Sequence, residues 1–275
     1  MTILSLMIVV LLERLHKPSP RWHFKPWFDF YHNHIQGVLK KLEDYGAEIK
    51  LIVWLAIPCL LVAYFQTALG NSLSGLLFSS LILYLCFGCP EHRQYYKKYL
   101  QAACRQDASA CAEYAAAIGE KEGCDCDQFG QTLIWVNFKH YFAVMFWFLV
   151  FGPAGAVLYV FTRQLYRQNL ISDEKHSDRA EGRLMYILDW VPARLSGLAL
   201  LFVGHFSRAL PVWLSELFKF TNTREYLTRI AAAAEEYQAP AGDYLSEPCV
   251  YVKLAKRAFI FMLALAAMLS LLGVI

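Results

Sequence analysis

Charge is scarce in this sequence: only 18% of its 275 residues are Asp, Glu, Lys or Arg, and 26 basic residues nearly balance 23 acidic ones. The net charge of +3 supplies no bulk basic field, which argues against nucleic acid as a partner. No period of about 20–50 residues recurs, so a solenoid is excluded. The G-x-x-x-x-G-K-[ST], G-x-G-x-x-G, G-x-S-x-G and H-E-x-x-H motifs are all missing. With them go the standard phosphate cradle, serine nucleophile and zinc-binding helix. Apolar residues, by contrast, are abundant: 57% are hydrophobic and 15% aromatic, and the mean hydropathy is +0.33. Soluble domains hold about 45–50% apolar residues. The composition predicts an all-α, polytopic helical membrane protein, a single integral membrane domain over residues 1–275 with the lipid bilayer as its first partner.

Residues 51–90 contain no Asp, Glu, Lys or Arg, forty residues where one helix needs about 20 to cross. The polar break Gly70-Asn71-Ser72 divides the run into spans at 51–69 and 73–89. Residues 141–162 and 258–275 complete four membrane segments. Residues 3–12 are too short to span and lack the basic start and cleavage site of a secretory signal, so a half-helix tucked into the bundle is expected. Residues 184–206 are long enough but carry Asp189, Pro192 and Arg194. They form either a functional intramembrane segment or a helix entering at an angle from the interface.

The loops suggest an orientation. Seven basic residues lie in 13–50, six in 90–141, five in 163–183 and seven in 205–257, but none near Asn71. The Asn71 turn is therefore expected outside and the long loops mostly in the cytoplasm. Keeping 163–183 inside requires a re-entrant 141–162, which Gly152-Pro153-Ala154-Gly155 could provide by breaking the helix; the alternative is a kinked full span. The cytoplasmic regions 91–135 and 211–250 are predicted helical, with one long helix over 91–119 and another over 223–237 capped by Asn222. Aromatic and basic residues interleave over 22–31, as in an interfacial segment.

Eight cysteines invite a metal site, yet their sulfurs are scattered through apolar spans and loops. Cys124 and Cys126 share a loop with no nearby His, and His32 and His34 point apart at i, i+2 spacing. No metal and no cofactor are expected.

The informative residues are intramembrane. Asp189 and Arg194 place an acid and a base in an apolar stretch, where each charge costs about 2.5–3.5 kcal/mol at mid-helix unless compensated. Pro192 also frees the carbonyl of Leu188, an acceptor that Arg194 or water could serve. The alternative is an Asp/Arg pair that only anchors the helix at the interface. Asn137, His140 and Arg163 flank the broken segment and could face the same cavity as Arg194 and Asp189, bounded by Gly152 and Gly155.

The blocks Trp135-Val136-Asn137-Phe138-Lys139, Gly152-Pro153-Ala154-Gly155-Ala156-Val157-Leu158-Tyr159 and Leu188-Asp189-Trp190-Val191-Pro192-Ala193-Arg194-Leu195 resemble the CobD/CbiB superfamily of integral membrane proteins. Leu11-Leu12-Glu13-Arg14-Leu15, Lys98 to Ala103, Gly204-His205 and Ala209-Leu210-Pro211 fit its AmpE branch. The resemblance covers nearly the whole chain. It implies a bacterial inner-membrane signalling modulator linked to cell-wall recycling and β-lactamase induction. The implied ligand is a small anion such as a cell-wall fragment or nucleotide; protein partners are unknown. The enzymatic branch, a membrane ligase joining cobyric acid to an aminopropanol-type amine, is the alternative. That branch has an acidic pair where this chain has Met185 and Tyr186, and an Asn where it has Asp189. Its N-T-L-D-S run is replaced by Phe161-Thr162-Arg163-Gln164-Leu165, so the expectation is of a protein without that activity.

Overall fold

The computed structural model describes residues 2–15, 24–40, 46–123, 128–172, 180–219, 222–235 and 243–273. Cys124, Cys126 and the 173–179 loop lie outside them. Among the described residues the chain consists of helices joined by short turns, with no strand. The helices are α1 (Thr2–Leu15), α2 (Phe24–Lys40), α3 (Ala47–Leu69), α4 (Leu73–Cys86), α5 (Pro90–Cys104), α6 (Ala108–Glu122), α7 (Phe129–Asn137), α8 (Ala143–Ser172), α9 (Ala180–Val203), α10 (Phe206–Glu216), α11 (Thr223–Ala234) and α12 (Ser246–Leu271); a π-helical turn (Phe138–Phe142) joins α7 to α8. Four helical runs are long and apolar enough to cross a bilayer: α3, the run Phe129–Leu170, α9 and α12. Their large exposed apolar side chains, among them Leu60, Leu61, Val150, Phe151, Ile187, Ile260 and Leu271, suit a lipid surface rather than water. This is an all-α, multi-pass membrane protein.

Two compact units divide the chain: Met1–Gly88 with Val144–Leu188, and Cys89–Ala143 with Asp189–Ile275. In the first unit, Gly70 (φ +59°) reverses the chain and the Ser72 hydroxyl accepts from the Gly75 amide to start α4. The predicted break at the polar triplet thus stands. The second span of that hairpin is shorter than expected. α4 ends at Cys86, and its 14 residues rise only about 21 Å, less than the roughly 30 Å hydrocarbon core. Extended Phe87 and left-handed Gly88 end the helix before the apolar run does. α1 packs on α4, burying Leu6 and Val9 completely, as expected of a half-helix tucked into the bundle. α2 buries Phe28 against Trp54 and Phe161 while exposing Trp27 and Phe30, the division an interfacial helix needs.

The break expected in 141–162 falls at Gly152, whose φ of 65° and ψ of −154° are non-helical. A Cβ on Gly155 would strike the Trp147 carbonyl oxygen, so the turn before the break leaves room only for hydrogen.

In the second unit, the long helix expected over 91–119 is two helices. Gln106 adopts φ 56° and Asp107 caps α6 by accepting from the Ala110 amide at 3.0 Å, so α6 turns back onto α5. Propensity favoured continuity, but a buried cluster of Tyr99, Cys111, Ile118, Phe129 and Leu133 rewards the reversal. Asn222 caps α11 as expected, accepting from the Arg224 amide at 3.0 Å, although the helix ends at Ala234. α7 packs between α11 and α12.

Candidate functional site

Asp189 and Arg194 lie five residues apart on α9, about 140° around the helix, so they face different neighbours. Both are buried, 4% and 9% exposed respectively. They do not pair with each other: Asp189 Oδ2 lies 3.5 Å from the Lys139 ammonium, which also sits 4.9 Å above the Trp135 ring. Lys139 is itself only 5% exposed and occupies the π-helical turn. Such turns insert one residue into the helical repeat and often mark functional sites. This turn directs two consecutive polar side chains, Lys139 and His140, at separate buried partners.

Arg194 is held from three sides. Its Nη2 donates to the Lys219 carbonyl at 2.6 Å, its guanidinium lies 3.9 Å from the Tyr226 ring centroid, and Trp190 stands 5.0 Å away. Tyr226 can lie flat on α9 because residue 197 is glycine; a Cβ there would meet the phenol oxygen. Burial pushes the Tyr226 phenol up to about 12, so the ring stays neutral and gives Arg194 a π face rather than a counter-charge. Arg194 Nε and Nη1 are buried and have no hydrogen-bond partner among the described residues. The two Nη2 hydrogens lie on different edges of the guanidinium. Whichever one Lys219 takes, the other edge keeps both of its donors, the fork that binds carboxylate or phosphate.

The carbonyl freed by Pro192 has a different partner from the one expected. Trp147 Nε1 donates to Leu188 O at 3.0 Å, so neither Arg194 nor water is needed there. Asn137 closes α7 half-buried, one residue before the π turn. His140 lies 3.0 Å from Glu122 Oε1, and His92 lies 3.1 Å from the same oxygen. Burial alone would raise the Glu122 carboxyl, but the two imidazoles outweigh it and hold the group well below the usual carboxylate range. Arg163 is buried in the first unit, 5.8 Å from the Tyr159 ring, and the Gly152 and Gly155 break belongs to that unit too. Lys139, Tyr226, Lys219, Glu122, His92 and Trp147 escaped the sequence reading. Lys139 was at least visible within a recognisable block.

All 275 residues match a family described as regulatory signalling modulator protein AmpE. The chain is 28% identical to "Protein AmpE" of Shigella flexneri over 99% of both chains. It is also similar to "Cobalamin biosynthesis protein CobD" of Chromobacterium violaceum, 27% identical over 78% of this chain and 73% of that one. A protein of the same name from Stutzerimonas stutzeri is 26% identical over 58% and 55% of the respective chains. No solved structure matches. With the family's pattern running over all 275 residues, the chain belongs to the AmpE family.

Proposed function

We propose that this membrane protein acts in signalling linked to cell-wall recycling and β-lactamase induction, and that Arg194 receives a small anionic ligand. It resides in the bacterial inner membrane with its long loops mostly in the cytoplasm. The observation that carries the ligand reading is Arg194 itself: a residue 9% exposed, two of whose guanidinium nitrogens have no hydrogen-bond partner among the described residues. Each unsatisfied buried donor costs about 1–3 kcal/mol, more for a charged group, and an anion would recover that. The Lys219 carbonyl, from the short connection between α10 and α11, meets the guanidinium as a ligand oxygen would. Cell-wall fragments and nucleotides both carry suitable carboxylate or phosphate groups.

The test compares Arg194→Lys and Arg194→Ala strains with a deletion strain for β-lactamase induction, at protein levels checked by blot. Lys keeps the charge but lacks the planar fork, so both variants are expected to behave like the deletion. Wild-type behaviour of both would reduce Arg194 to a structural anchor. The CobD relatives keep an amide-ligase reading in view, but Met185 and Tyr186 offer no carboxylates for Mg²⁺. Under the signalling reading, a deletion strain does not accumulate cobyric acid.

A further inference from the structure

We infer that His92, Glu122 and His140 form a binding site for one divalent transition metal of the zinc class, which ties α5, α6 and the π turn together. The three residues come from separate elements of the second unit: the first turn of α5, the last residue of α6 and the π turn. One ligand atom from each lies within 4.8 Å of the other two. Both imidazoles bring Nε2 close to Glu122 Oε1, at 3.1 and 3.0 Å, with ring centroids 5.0 Å apart. A tetrahedral ion with bonds of about 2.0–2.2 Å holds its donors about 3.3–3.6 Å apart, so small side-chain movements would admit it.

Two further features suit a bound metal. His92 is 3% exposed, and its Nε2, 3.1 Å from Glu122 Oε1, misses the alignment of a well-formed hydrogen bond among the described residues. A nitrogen that offers a lone pair to an ion has no need of that alignment. Glu122, with its side chain 6% exposed, is also the last residue of α6, immediately before the left-handed cap Gly123. A carboxylate at the negative end of a helix needs positive charge beside it, which a bound cation would supply in place of the protonated imidazoles. Two imidazole nitrogens and one carboxylate oxygen suit zinc-class ions, which leave a fourth position for water or an anion. His140 and Lys139 are adjacent on the π turn, so the ion would also fix the turn from which Lys139 reaches Asp189.

The experiment uses the full chain, purified in detergent, stripped with a chelator and titrated with Co(II) and then Zn(II). The site predicts one Co(II) per chain with a tetrahedral visible absorption that Zn(II) displaces. It also predicts a melting temperature that rises on metal addition. Glu122→Gln and His92→Gln, which keep size and hydrogen-bonding capacity, are expected to weaken binding by at least about 100-fold and to abolish the metal-induced rise. A wild-type protein that binds no metal stoichiometrically overturns the assignment. So does a Glu122→Gln protein that keeps the same stoichiometry and affinity, since the ion would then sit on cysteines elsewhere.

Discussion

Replacing Lys139 by Met leaves Asp189 buried without the ammonium that stands 3.5 Å away. At an effective dielectric constant of about 20, two unit charges at that distance attract by about 5 kcal/mol. Desolvation of both ions cancels much of this gain, so the intact pair adds little net stability. Breaking it is different, because the surviving charge keeps its desolvation penalty and loses this ion-pair contact, at about 3–5 kcal/mol. Lys139→Met and Asp189→Asn should each lower the melting temperature in detergent by roughly 6–15 °C, taking about 2–3 °C per kcal/mol for a chain of this size. The double variant removes both charges and should recover most of the loss. Melting of the wild type, the two single variants and the double variant closes a cycle whose coupling should be at least about 2 kcal/mol. Additive losses, with the double variant worse than either single one, would show that the two charges do not meet and would remove the pairing on which the α9 site rests.

Trp147→Phe keeps the ring but deletes the donor to Leu188 O, so it should destabilise by about 1–3 kcal/mol, and Trp147→His, which restores a ring N–H, should recover part of it in the same melting assay. Glu216 Oε1 accepts from Lys219 at 3.0 Å and Arg229 at 3.1 Å, and the Lys219 hydrogen bond, aided by both charges, lowers its carboxyl against the opposing effect of burial. Its contribution is therefore complete above the ordinary carboxylate value and disappears as pH falls through the lowered one. Because the two cations are about half exposed, Glu216→Gln should cost only roughly 0.5–1 kcal/mol at pH 7, and the gap from wild type should close as the pH is taken below about 4. For orientation, Ser177→Cys in otherwise cysteine-free protein should resist a membrane-impermeant maleimide in intact cells, and labelling would mean that the 163–183 loop faces outward.

The amino-acid sequence by itself determined those features that depend on neighbours along the chain. Uncharged runs marked α3, the middle of α8 and the end of α12, Gly70 to Ser72 marked the hairpin turn, and Asn222 announced the start of α11, because transfer to lipid and capping are properties of short windows. Gly152 and Pro153 located the break in α8 for the same reason: one carries a left-handed φ and the other lacks an amide hydrogen. The α9 motif was legible as an energetic problem, a buried acid, a buried base and a freed carbonyl, but its solution was not. Asp189 is answered by Lys139, Leu188 by Trp147 and Arg194 by Lys219 and Tyr226, all from outside α9. Only the tertiary structure decided these pairings, because sequence spacing carries no record of which helix faces which. The same holds for the reversal at Gln106 and the π turn: each trades a locally preferred helical register for contacts that exist only once the second unit is assembled. His92, Glu122 and His140 meet through both.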